Sequence, residues 1–150
     1  MPRLRSLFPT LFTWLALTVG VGAAAAADVK AGPKGGRLLE TQPHAAEFLV
    51  TAERRVEITF YDTAQQPVSP GDQVVTVIAE APRGRETVAM DPTATGFVSE
   101  TPLPAGEPYR VVVQLRASPD SRPRNFRIDL NLAACAECGY GEYACTCEGH

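Results

Sequence analysis

The stretch RVEITFYD at 55–62 alternates, with Val56, Ile58 and Phe60 pointing one way and Glu57, Thr59 and Tyr61 the other. An apolar period of two predicts a strand with one face against a core. The same period returns in YRVVVQLR, where Tyr109, Val111, Val113 and Leu115 oppose Arg110, Gln114 and Arg116. It returns again in NFRIDLNL, with Phe126, Ile128, Leu130 and Leu132 set against Arg127, Asp129 and Asn131. Shorter runs around Phe48 and at 73–80, 85–90 and 96–100 predict further strands. Clusters such as AQQPVSPGD, APRG, DPTATG, TPLPAGEP and SPDSRP separate them as turns. After residue 27 no helical apolar period lasts beyond a turn or two.

About seven short strands with regular turns predict an all-β fold, an antiparallel sandwich. LPAGEPYRVVV adds a local marker: Leu103, Gly106 and Tyr109 are spaced L-x-x-G-x-x-Y and lead into an alternating strand. This resembles the tyrosine corner of immunoglobulin and fibronectin type III-like sandwiches, whose hydroxyl bonds back to upstream backbone. The resemblance makes 110–116 strand F and 125–132 strand G. Residues 28–132 then form the sandwich, a length of roughly a hundred residues that buries a core without cross-links.

The amino-terminal 27 residues follow a different pattern. Arg3 and Arg5 precede an apolar run from Leu7 to Val21, and Ala25-Ala26-Ala27 offers an A-x-A cleavage site before Asp28. That layout predicts a secretory signal peptide over 1–27. Its apolar run is short of the roughly 20 residues of a membrane span; an uncleaved anchor is the alternative. Cleavage would leave no membrane span and place the protein in the periplasm or outside the cell. Loss of Arg3 and Arg5 takes the formal charge from −3 to −5. Nucleic-acid binding relies on clustered Lys and Arg, so nucleic acid is not an expected partner. The ERR and SRPRNFR groups at 53–55 and 121–127 are broken by acids, Pro and polar residues and look like solvated loops.

All four cysteines lie between 135 and 147, and with His150 they spell C-x2-C-x6-C-x-C-x2-H. Cys135 and Cys138 can converge on one centre through a tight turn eased by Gly139 and Gly141. Cys145 and Cys147, two apart in an extended segment, share a face and can chelate the same ion, with His150 able to replace either. Four soft ligands suit Zn2+ in a tetrahedron, or Cu(I) at lower coordination. Glu137, Glu142 and Glu148 raise the local cation concentration, yet oppose thiolate formation until metal arrives. An oxidising compartment equally favours disulfides, in any of three pairings. Such closures would contribute about 2–3 kcal/mol to ordering a tail over 133–150. Thiol-exchange chemistry at Cys135 and Cys138 is disfavoured by the acidic neighbours and the lack of a βαβ unit.

The stretch AGPKGGRLLETQPHAAEFLV opens the predicted domain. Gly32-Pro33-Lys34-Gly35-Gly36 predicts a turn into a strand at 37–40, and His44 precedes the strand around Phe48. Alone, His44 is expected at a strand edge, partly exposed, rather than as a ligand. Such a turn can cradle an anion on its N–H groups, but Pro33 lacks that donor and no helix follows, so phosphate is not expected. From Gly32 to Pro67 the chain is similar to small exported β-sandwich proteins. It is also similar to N-terminal segments of periplasmic adaptor subunits of heavy-metal efflux systems, which begin with a GP-x-GG-like turn and short alternating strands. Many of those carry a histidine in the turn, where Lys34 stands here, so no metal site carries over to it. The helical hairpin and lipoyl-like segment of a whole adaptor are also missing. The resemblance implies association with metal homeostasis at the cell envelope.

Hydrolysis or group transfer needs a nucleophile with a positioned base, or carboxylates paired in a cleft. Ser69, Ser99, Ser118 and Ser121 lie in or beside turns, and the acids alternate with apolar residues as on a solvated sheet face. The chain is therefore expected not to be an enzyme. It is expected to be an exported module in which Cys135, Cys138, Cys145, Cys147 and His150 take Zn2+ or Cu(I), with an envelope protein or transporter as further partner. The alternative is a structural or interaction domain with a disulfide-locked tail and no metal, engaging its partner by a strand edge or the tail.

Overall fold

The computed structural model describes residues 28–147; the expected signal peptide and His150 lie outside the described residues. In chain order the strands are β1 (Arg37–Leu39), β2 (Ala45–Val50), β3 (Val56–Tyr61), β4 (Val74–Ala81) and β5 (Gly84–Val88). They continue with β6 (Met90–Thr93), β7 (Gly96–Ser99), β8 (Tyr109–Arg116) and β9 (Arg124–Leu130). Two antiparallel sheets result, ordered β1-β2-β3-β7-β6 and β5-β4-β8-β9. This is the expected all-β sandwich, with nine short strands among the described residues in place of about seven.

The predicted faces meet between the sheets. Val56, Ile58 and Phe60 of β3 and Val111, Val113 and Leu115 of β8 are at most 1% exposed, as are Ile128 and Leu130 of β9. Each such side chain contributes about 1.5–3 kcal/mol on burial. Tyr109 forms the expected corner: its hydroxyl donates to the Pro104 carbonyl at 2.8 Å, and Leu103 is buried beside it. Arg54 clamps the same loop, which the expectation of a solvated ERR cluster did not foresee. Its Nε donates to the Leu103 carbonyl at 3.2 Å, and its guanidinium also meets the Pro104 carbonyl and Glu107.

Two local departures have simple causes. DPTATG, expected as a turn, supplies most of β6, which pairs with β7 from Met90↔Ser99 to Thr93↔Gly96. Pro92 is tolerated there because β6 is an edge strand, and no neighbour needs its missing N–H. The predicted strand at 85–90 divides at Ala89, where the chain leaves one sheet for the other.

The outer face of β2 and β3 is not the solvated acidic face that was expected. Glu47 is fully buried, because the turn at 32–36 folds over it. Its carboxylate accepts the Lys34 N–H at 3.0 and 3.1 Å, the Gly36 N–H at 2.7 Å and the Tyr61 hydroxyl at 2.8 Å. A Cβ on Gly32 would overlap the Glu47 side chain, so the close approach requires glycine there. Burial, and then the bond to Glu47, push the Tyr61 hydroxyl well above its ordinary pKa. The glycine turn thus does cradle an anion, one that the chain supplies itself.

Candidate metal centre

Past β9 the chain folds back on itself as a narrow hairpin. The Cys135 N–H donates to the Tyr140 carbonyl at 2.7 Å, the Glu142 N–H to Ala133 at 2.9 Å and the Tyr143 N–H to Asn131 at 3.3 Å. At its tip the Gly139 N–H returns to the Cys135 carbonyl at 2.9 Å, with Gly139 at φ 74°. That left-handed residue lets Cys135 and Cys138 face the same point. A single 3-10 turn, Glu142–Ala144, then reverses the chain, and extended backbone at Cys145 brings Cys145 and Cys147 back over the knuckle.

The four sulfurs meet. Cys135, Cys138, Cys145 and Cys147 place their Sγ atoms within 4.8 Å of one another. Cys135 and Cys145 are 3.2 Å apart, Cys138 and Cys145 3.7 Å, and Cys135 and Cys147 3.8 Å. None is joined to another as a disulfide. Cys135 and Cys145 are buried, while Cys138 and Cys147 are half-buried. The Cys147 N–H also points at the Cys145 sulfur, at 3.4 Å.

These contacts divide the thiols electrostatically. The Cys138 N–H, then the Cys145 thiol and the Glu137 N–H, pull Cys135 down to a pKa of about 6 against the opposing effect of burial. Cys145 is drawn down by the Cys147 N–H, but burial and its bond to Cys135 outweigh this and leave it raised. Cys147 is raised by its bond to Cys145 and by burial. Cys135 is therefore the thiol most readily ionised of these three, through the backbone N–H groups and the Cys145 thiol that face it.

The tail docks on the sandwich through residues that the cysteine pattern did not single out. Tyr143 is buried with its ring edge-on to Phe48 (centroids 5.7 Å apart, planes at 88°), and Ala144 is fully buried in the same hydrophobic cluster. The Tyr143 hydroxyl accepts the Val50 N–H at 3.0 Å. An aromatic residue two positions before Cys145 was the available signal. Gly35 of the amino-terminal turn abuts the Tyr140 ring, so the glycine turn and the tail lie side by side. His44 is not part of the cluster. It precedes β2, whereas the tail docks at Val50, roughly 20 Å further along the strand.

An open cleft of about 650 Å3 separates the β2–β3 turn from the tail, lined among others by Lys34, Val50, Arg54, Leu132, Tyr140 and Tyr143. Its two cations are engaged, Lys34 with Glu57 and Arg54 with Glu107, so they are not poised for an anionic ligand. Among the described residues no helix is long and apolar enough to cross a membrane. No protein-family model, curated protein or solved structure matches this chain.

Proposed function

We propose that the tail is a tetrathiolate metal centre and the protein an exported metal-binding module. The observation that carries this reading is the convergence of four Sγ atoms within 4.8 Å on a folded, half-buried knuckle. A tetrahedron with Zn–S bonds of about 2.3 Å has edges of about 3.8 Å, close to the 3.7 and 3.8 Å separations here. The third contact, at 3.2 Å, needs only a small opening. Zn2+ is the first choice, and Cu(I), which takes fewer sulfurs, the second. Four protein ligands close the coordination sphere, which favours holding an ion over activating water on it. The signal-like leader supports export. The adaptor-like turn supports a place in envelope metal homeostasis, with a transporter or other envelope protein as partner.

Elemental analysis and intact mass of protein isolated from its own compartment test the proposal. One metal ion per chain, with free thiols after chelation, is expected. Cys147→Ser should weaken the metal by more than the roughly 100-fold that disturbing an outer-shell group can cost. Two chelator-insensitive disulfides, seen as a mass four hydrogens light, would instead establish the disulfide-locked tail.

A further inference from the structure

The 3-10 turn at Glu142–Ala144 touches both β1 and β9. These are the edge strands of the two sheets, so the tail closes one side of the sandwich. β1 is only three residues long and pairs with β2 no further than Arg37↔Phe48. The outward N–H of Val50, two residues on, has passed the end of that ladder, and the Tyr143 hydroxyl takes the place of the missing strand. Tyr143 and Ala144 fill the seam, and the next residue is the buried ligand Cys145. Seating the plug and assembling the sulfur cluster are therefore a single local event.

We propose that the centre is a metal-dependent latch: metal occupancy sets whether the Tyr143–Ala144 plug is seated in the seam between β1 and β9. The proposal rests on the metal reading and adds what the metal controls. A short glycine-containing hairpin loses much conformational freedom when ordered. A metal ion joins Cys135 and Cys138 on one arm to Cys145 and Cys147 on the other, which holds the reversal that aims Tyr143 inward. Release of the ion frees the arm. The side of Phe48 that Tyr143 covers and the Val50 N–H are then bared, while the two sheets stay paired by their own ladders.

Amide hydrogen exchange on the metal-loaded full chain, before and after chelation, with metal content measured on the same samples, tests this. Chelation should speed exchange at Val50 and Tyr143 roughly tenfold or more, the mark of local opening. Val113 and Ile128 should be unaffected, and added Zn2+ should restore protection. The double variant Cys138→Ser, Cys147→Ser should behave like chelated protein. Tyr143→Phe should keep its metal but lose Val50 protection. Unchanged Val50 exchange in metal-free protein would overturn the latch and leave metal binding standing. Equal loss at Val50 and Val113 would also overturn it, since the ion would then hold the whole sandwich. Loaded samples without stoichiometric metal would remove the metal reading itself, and the latch with it.

Discussion

At the scale of single residues the thiols fix how metal uptake responds to pH. Metal ligands bind deprotonated. Cys135, near 6, is already a thiolate at neutral pH, whereas Cys145 and Cys147, both raised, still carry their protons. Binding at pH 7 therefore expels at least the two protons of Cys145 and Cys147. Affinity should fall by at least about 100-fold per unit as pH drops from 8 towards 6, and more steeply below about 6, where Cys135 also protonates. Competition with a chromophoric chelator at several pH values measures this, and a flat profile would exclude the thiol assignment. The ligand types and their spacing were legible in the sequence, because C-x2-C and C-x-C are local patterns. The ordering of the thiols was not, since it comes from N–H groups and sulfurs that only the folded hairpin brings together.

At the scale of elements the amino-terminal turn is as specific as the knuckle. Glu47 takes the Lys34 and Gly36 N–H groups and the Tyr61 hydroxyl, so a neutral replacement is costly. Glu47→Gln offers an NH2 where acceptors are needed and loses charge-assisted bonds. It should cost on the order of 2–3 kcal/mol in urea denaturation, and Tyr61→Phe less. A change under about 0.5 kcal/mol, the scale of an ordinary surface substitution, would mean that the turn does not depend on the carboxylate. Period-two alternation revealed β3, β8 and β9, and the L-x-x-G-x-x-Y spacing revealed the corner at Tyr109. The same alternation put Glu47 and Tyr61 on an outer face and stopped there. A periodicity reports which side a residue faces, not whether a distant turn later covers that side.

At the scale of the molecule, core and tail share one hydrophobic cluster. The sequence suggested a self-sufficient sandwich over 28–132 followed by a tail, because alternation ends at Leu132 and the cysteines begin at 135. In the fold, Tyr143 and Ala144 belong to the same buried cluster as Phe48, Val56 and Leu130, with the Tyr143 ring against Phe48. Their contribution depends on the reversal at 142–144, which no repeat in the sequence announces. Ala144→Leu separates a shared cluster from a passive appendage. Ala144 is fully buried, so added bulk should cost about 1–3 kcal/mol of stability through overpacking. Because Cys145 is the next residue, the same displacement should move its sulfur and weaken metal binding in parallel. Thr146→Ala, at an exposed position between two ligands, should leave stability nearly unchanged. Thermal melts and metal competition on both variants, with and without metal, decide the matter. If Ala144→Leu lowers the melting temperature at full metal affinity, the sulfur cluster tolerates a shifted plug and the two are mechanically separate. If both fall together, the ion and the apolar core are coupled through one peptide bond.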